Sequence, residues 1–117
     1  MSDASIEGLT VALRKFAEER DWDQFHTPKN LATAMIVEAG ELLEHFQWMD
    51  RGNREDFSAR QREVVSLEMA DVFLYLIRLA DKLGVDLIDA ALRKLEVNAL
   101  KYPVALARGN SKKYTDL

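Results

Sequence analysis

Apolar side chains recur every three or four residues along most of this chain, and nowhere do they alternate in twos. The first segment, SIEGLTVALRKFAEERDW, places Ile6, Leu9, Leu13, Phe16 and Ala17 on one such stripe. That spacing fits a helix of 3.6 residues per turn and withholds the two-residue period of a strand. Five glycines and two prolines in 117 residues leave little turn chemistry, so the elements must be few and long. A hydrophobic fraction of 48 % with 31 % charged residues belongs to an ordinary globule. The expectation is an all-α four-helix bundle forming a single domain over residues 1–117.

Stop and start signals divide the pattern. Asp3 or Ser5 can cap the first helix. Thr27 followed by Pro28 supplies an N-cap and a proline at the first helical position, where its missing N–H costs nothing. The second helix is expected to run to about Trp48, before DRGNREDF interrupts the pattern. Ser58 caps a long third helix that Gly84 stops. Asp86 opens a fourth, LIDAALRKLEVNALKY, which Pro103 ends. Residues 104–117, VALARGNSKKYTDL, read as a basic tail that orders on a ligand or a neighbouring subunit.

Composition also excludes partners. A net charge of −4 offers no basic face for displacing counterions from a nucleic acid polymer. No cysteine is present, so thiolate metal sites and disulfides are ruled out and a cytoplasmic setting is the default expectation. The N-terminus MSDASIEGL has no basic start followed by an apolar run, and no stretch approaches the roughly 18 apolar residues of a membrane span.

One stretch breaks the rule that helix stripes are apolar. In IVEAGELLEHFQW, at 100° per residue, Glu38 falls among Leu31, Leu42, Met35 and Met49, while Glu41 sits at about −60° on the shoulder. Glu44 turns away to solvent. The third helix repeats the arrangement, with Glu68 among Val65, Val72 and Leu79 and Asp71 again at about −60°. Burying an unpaired carboxylate costs several kcal/mol, and at an effective dielectric near 20 like charges ~4 Å apart repel by about 4 kcal/mol. Something cationic must offset this. Of the basic residues in the two helices only Arg78 borders these faces, so compensation from within them is thin. Mg²⁺, or Mn²⁺, fits an all-oxygen donor set. The bland alternatives are a solvated acidic face and an internal salt bridge.

Carboxylates on a helical bundle serve several ends. A di-iron centre combines glutamates with Glu-x-x-His pairs; His45 follows Glu41 by four residues and the third and fourth helices carry no histidine, which weakens that reading. Phosphoryl chemistry needs a divalent cation, further cationic groups for phosphate oxygens, and a platform for the rest of the substrate. Lys94, Asn98 and Lys101 form one polar strip on the fourth helix with Tyr102 beside it, suited to phosphate and equally to solvent. Trp22, Phe25, His26, Trp48 and Tyr75 supply aromatic surface, and base stacking is worth about 1–3 kcal/mol. Phe25 and Phe46 are assigned to the core. A third possibility is a metal-clipped helical module that docks a protein partner through its acids.

The string Glu38-x-x-Glu41 followed by Glu68-x-x-Asp71, with FAEERDWDQFHTPKNL, EMADVFLYLIRLA, GVDL and KYPVALARGNSKKYTDL around it, resembles the MazG-like all-α nucleoside triphosphate pyrophosphohydrolases, and within them the dCTP pyrophosphatase branch. The resemblance implies Mg²⁺-dependent conversion of dCTP or a related dNTP to the monophosphate and pyrophosphate by a MazG-like bundle assembled as a homotetramer. It implies Glu38, Glu41, Glu68 and Asp71 as metal ligands, one of them, Glu41 the first candidate, orienting or deprotonating the attacking water. Lys94, Asn98, Lys101 and Tyr102 match phosphate and sugar contacts, and Trp22, His26, Trp48 and Tyr75 match positions around the base. Lys112 and Tyr114 are candidates to close over the phosphates. The loop from Asp50 to Phe57 is shorter and more charged than in that branch, so base selectivity does not carry over.

Overall fold

A computed structural model describes residues 4–117, and Asp3, one of the two caps considered for the first helix, lies outside them. The described residues contain helices and turns and no strand. Four long helices follow in order: α1 (Ile6–Glu19), α2 (Pro28–Glu44), α3 (Ala59–Leu83) and α4 (Leu87–Lys101), with a short α5 (Val104–Ala107). The expected all-α class is therefore observed. The chain divides after Gly84 into two compact units.

Each long helix begins where a side chain can satisfy its free N–H groups. Ser5 Oγ accepts from Gly8 N–H at 3.0 Å, and Thr27 Oγ1 accepts from Asn30 N–H at 3.2 Å ahead of Pro28. Ser58 and Gln61 form a reciprocal capping box. Asp86 caps α4 by accepting from Asp89 N–H at 3.0 Å. Gly84 stops α3 in the left-handed conformation, at φ 67°. Asp21, at φ 53°, takes up that region just after α1 and turns the chain towards α2.

In the unit that ends at Gly84, α3 packs against both α1 and α2. Leu31 of α2 and Ile77 of α3 are the largest fully buried side chains. At the other end of the same helix pair Phe46 meets Phe57, ring centroids 5.1 Å apart and nearly perpendicular. With Phe46 against Phe57 beside the turn and Glu38 drawn to Glu68 farther along, α2 and α3 are antiparallel.

Two expectations are corrected. Helix α2 stops at Glu44 rather than near Trp48, because His45, Phe46 and Met49 bond three residues back, to Leu42, Leu43 and Phe46. Phe46 and Met49 keep the apolar period while the backbone has already left it. Phe25, assigned to the core, is 60 % exposed on a 3₁₀ turn, Asp23–Phe25. The segment 104–117, read as a basic tail, contains α5 and a 3₁₀ turn, Tyr114–Asp116.

The turn after α2 depends on Gly52. Its φ is +67°, and a Cβ there would lie 2.7 Å from the Phe46 ring. Gly52→Ala is expected to destabilise the fold by more than the ~1–2 kcal/mol that the left-handed backbone costs any residue with a Cβ, read as a fall in urea midpoint.

The unit from Val85 to Leu117 is built on α4. The Tyr102 and Tyr114 rings meet edge to face at 6.1 Å, and Lys101 Nζ stands 4.7 Å above the Tyr114 ring. Lys101, Tyr102 and Tyr114 are thereby gathered at one end of α4.

Candidate metal and nucleotide site

Glu38 on α2 and Glu68 on α3 are half-buried, whereas Glu41 and Asp71 are exposed beside them, as the helical wheel predicts. Glu38, Glu41 and Glu68 each offer a carboxylate oxygen within 4.8 Å of the others. Burial raises the Glu38 carboxyl above the ordinary glutamate range; Glu41 adds to the effect, as do the charges of Asp71 and Glu68. All four acids therefore act on one region.

No Lys or Arg is ion-paired with any of these four acids among the described residues. His45 Nε2 lies 3.5 Å from Glu68 Oε1. Arg78, the one basic group that the wheel places near these faces, is turned to other partners. It is buried, with Asp23 at 2.6 Å and Asp81 at 3.2 Å. The internal salt bridge that could have explained the acids is not made by Arg78. A clustered, unneutralised, all-oxygen set is the chemistry that a hard divalent cation requires, so Glu38, Glu41 and Glu68, with Asp71 next to them, fit Mg²⁺ or Mn²⁺.

A cavity of about 380 Å³ opens between α1 and α3. Asp71 and Tyr75 line it from α3, Trp22 and His26 from the connection between α1 and α2, and Leu13 and Phe16 from α1. Trp22 stands edge-on to Phe16 at 5.8 Å and to His26 at 6.4 Å. The wall is mostly apolar and aromatic, with polar groups concentrated on the α3 side, which suits a flat ring carrying a charged tail. Asp71 belongs to both features, facing the cavity and acting on Glu38.

An ion network pins the connection to α3. Asp23 accepts from Arg78 Nη2 at 2.6 Å and from Lys82 Nζ at 2.5 Å. Asp81 accepts from Arg14 and Arg78. The hydrogen bond from Lys82 holds the Asp23 carboxyl below its ordinary range, and that from Arg14 does the same for Asp81. His26 is pushed down, by burial first and then by the charges of Arg78 and Lys82.

The structure thus brings together seven of the residues singled out in the sequence: the four acids with Trp22, His26 and Tyr75. Trp48 is not on the cavity wall; it is 90 % exposed in the irregular turn after α2. Lys94, Asn98, Lys101 and Tyr102 all belong to the other compact unit, on α4 and at its C-terminal cap. Sequence reasoning missed Leu13 and Phe16 as cavity residues, since their spacing is that of any core stripe. It also missed the role of Arg78, although Arg78 and Asp81, three apart on one helix, were a local hint of an ion pair.

The MazG-like family matches residues 33–117. The chain belongs to that family. Among its relatives, human dCTP pyrophosphatase 1 is 43 % identical over 117 residues, covering 98 % of this chain and 69 % of the human protein. The bovine dCTP pyrophosphatase 1 is 42 % identical over 118 residues, covering 99 % and 70 %. The crystal structure of a pyrophosphatase from Archaeoglobus fulgidus superposes with a TM-score of 0.77 at 42 % identity, covering 88 % of this chain and 96 % of that one. The acid cluster and the aromatic cavity of this MazG-like chain therefore occur in a fold whose relatives are pyrophosphatases.

Proposed function

We propose that this MazG-like protein is a nucleoside triphosphate pyrophosphohydrolase, dependent on Mg²⁺ or Mn²⁺, that converts dCTP or a related dNTP to the monophosphate and pyrophosphate. The carrying observation is that Asp71 joins an unneutralised carboxylate cluster to an aromatic cavity in a chain more than 40 % identical to dCTP pyrophosphatases.

The cavity takes the base, with Trp22, His26 and Tyr75 around it. Glu38, Glu41, Glu68 and Asp71 hold the cation, which when bound neutralises phosphate charge and lowers the pKa of water. Glu41, exposed at the edge of the cluster, is the group assigned here to orient a water or take its proton as attack proceeds at the α-phosphorus. The ammonium groups of Lys94 and Lys101, with Asn98 and Tyr102, are the proposed contacts for phosphate oxygens and sugar, and they offset charge on departing pyrophosphate. Lys112 and Tyr114 are assigned to the same end of the substrate, and Trp48, which lies off the cavity wall, to the side of the base that the cavity leaves open. On this reading residues 1–117 act as one domain.

Homotetrameric assembly is part of the proposal. It is supported by large apolar side chains left open on α2, α3 and α4, such as Ile36, Leu43, Leu67, Met69, Leu92 and Leu95. No described helix is long and apolar enough to cross a membrane. A cytoplasmic setting without nucleic acid polymer or membrane partners completes the reading.

The test is to incubate the protein with a panel of dNTPs, with Mg²⁺ and with EDTA, and to measure pyrophosphate. Release from dCTP that stops with EDTA is expected. No release from any canonical or modified nucleotide would overturn the proposal and favour the docking module.

A further inference from the structure

His26 has two ring nitrogens, and the structure settles what one of them faces. Arg78 Nε lies 3.3 Å from His26 Nδ1. A guanidinium nitrogen only donates, because arginine stays protonated in proteins. Nδ1 must then accept, which puts the ring proton on Nε2, and a doubly protonated ring would set two N–H groups head to head. Arg78 has no freedom to turn away: it is buried, and its other nitrogens are held by Asp23 and Asp81.

We propose that Arg78 is a positioning residue for the base site: its Nε fixes His26 as the Nε2–H tautomer, so that the cavity presents one N–H donor to an acceptor atom, a ring nitrogen or carbonyl oxygen, of the nucleotide base. This deepens the function proposed above and rests on it. The groups around His26 agree, because Arg78 and Lys82 lie on its α3 side and disfavour a second ring proton, opposed only by Asp23. Both His26 and Arg78 line the cavity, so the nitrogen that remains for a ligand is Nε2. Aromatic faces stack on any base. A fixed donor does not, and rejects an edge that offers only another donor.

Two substitutions separate this role from the ion pairs. Arg78→Gln keeps an N–H in the place of Nε, whereas Arg78→Met puts a methyl group there, and both lose the contacts to Asp23 and Asp81 equally. The chain has two histidines, so ¹⁵N spectra of the imidazoles assign readily. In the wild type and in Arg78→Gln, His26 is expected to show an unprotonated Nδ1 and a protonated Nε2, and in Arg78→Met an averaged pair of shifts. With dCTP and Mg²⁺, Arg78→Met is expected to show a KM roughly three- to tenfold above that of Arg78→Gln, the worth of one hydrogen bond, at nearly equal kcat, whatever the lost ion pairs cost both variants in common. A protonated Nδ1 in the wild type overturns the inference without any variant. So does equal KM in the Met and Gln variants. If the wild type releases no pyrophosphate from any nucleotide, the functional reading falls, and with it the assignment of a base to Nε2–H, while the nitrogen shifts still decide whether Arg78 sets the tautomer.

Discussion

Replacing Glu41 by glutamine or Asp71 by asparagine is expected to leave a folded protein that releases pyrophosphate at least about a hundredfold more slowly. Removing one preorganised electrostatic group from a transition state costs 10²–10³ in rate at that order, and here the lost oxygen is also a candidate cation ligand. Both side chains are exposed, so neither substitution opens a void. The accompanying stability change has the opposite sign from that of most active-site damage. Glu38 is held above its ordinary range by burial and by the neighbouring carboxylates, so the metal-free fold binds its proton more tightly than the unfolded chain does. Its stability must then fall as pH rises through the raised Glu38 value and recover as pH drops back through it. Asp23 and Asp81 act the other way. Their lowered values mean that the stability they contribute is present above the ordinary aspartate range and is lost as pH falls through the lowered ones. In EDTA the protein should therefore be most stable at mildly acidic pH. Glu38→Gln should flatten the neutral side of that profile and raise Tm by about 3 °C, a modest gain because the groups are partly solvated. Near-wild-type turnover in Glu41→Gln or Asp71→Asn would remove the catalytic assignment.

Leu31→Ala or Ile77→Ala is expected to cost about 2–5 kcal/mol, read from urea unfolding. Each side chain is 1 % exposed and lies on the α2–α3 pair that carries the acids. The loss is a large share of a typical ~5–15 kcal/mol total. Val11→Ala, on α1 at a position 61 % exposed, serves as the reference with little effect on the fold. An equal cost for Leu31 and Val11 would mean that the helix pair is not anchored where the structure places its buried residues.

Much of this architecture is legible locally. Ser5, Thr27, Ser58 and Asp86 announce helix starts because an N-cap is a contact between residues three apart, and the Gly84 stop needs only one backbone conformation. The burial of Glu38 and Glu68 beside exposed Glu41 and Asp71 follows from the helical period alone. What could not be read is what depends on distant partners. Nothing near Asp23 announces that Arg78 and Lys82 will bind it, and so the ion pairs that hold the connection between α1 and α2 against α3 stayed hidden. The early end of α2 went unseen for another reason: Phe46 and Met49 preserve the apolar spacing, and no glycine or proline marks the change to tighter turns. Phe25 looked like core by its chemistry, yet its 3₁₀ turn leaves it open to solvent.

The two fully buried side chains of α2 and α3 lie towards one end of the antiparallel pair and the Phe46–Phe57 contact at the other, with the acids between. Spreading the pair in the middle would expose buried side chains at one end or part the aromatic rings at the other. Mutual repulsion among the carboxylates is therefore kept as a standing negative potential rather than dissipated by movement. A cation bound there as proposed would meet oxygens of Glu38, Glu41 and Glu68 that already lie within 4.8 Å of one another, and the energy that gathering them would have consumed would be left for attraction.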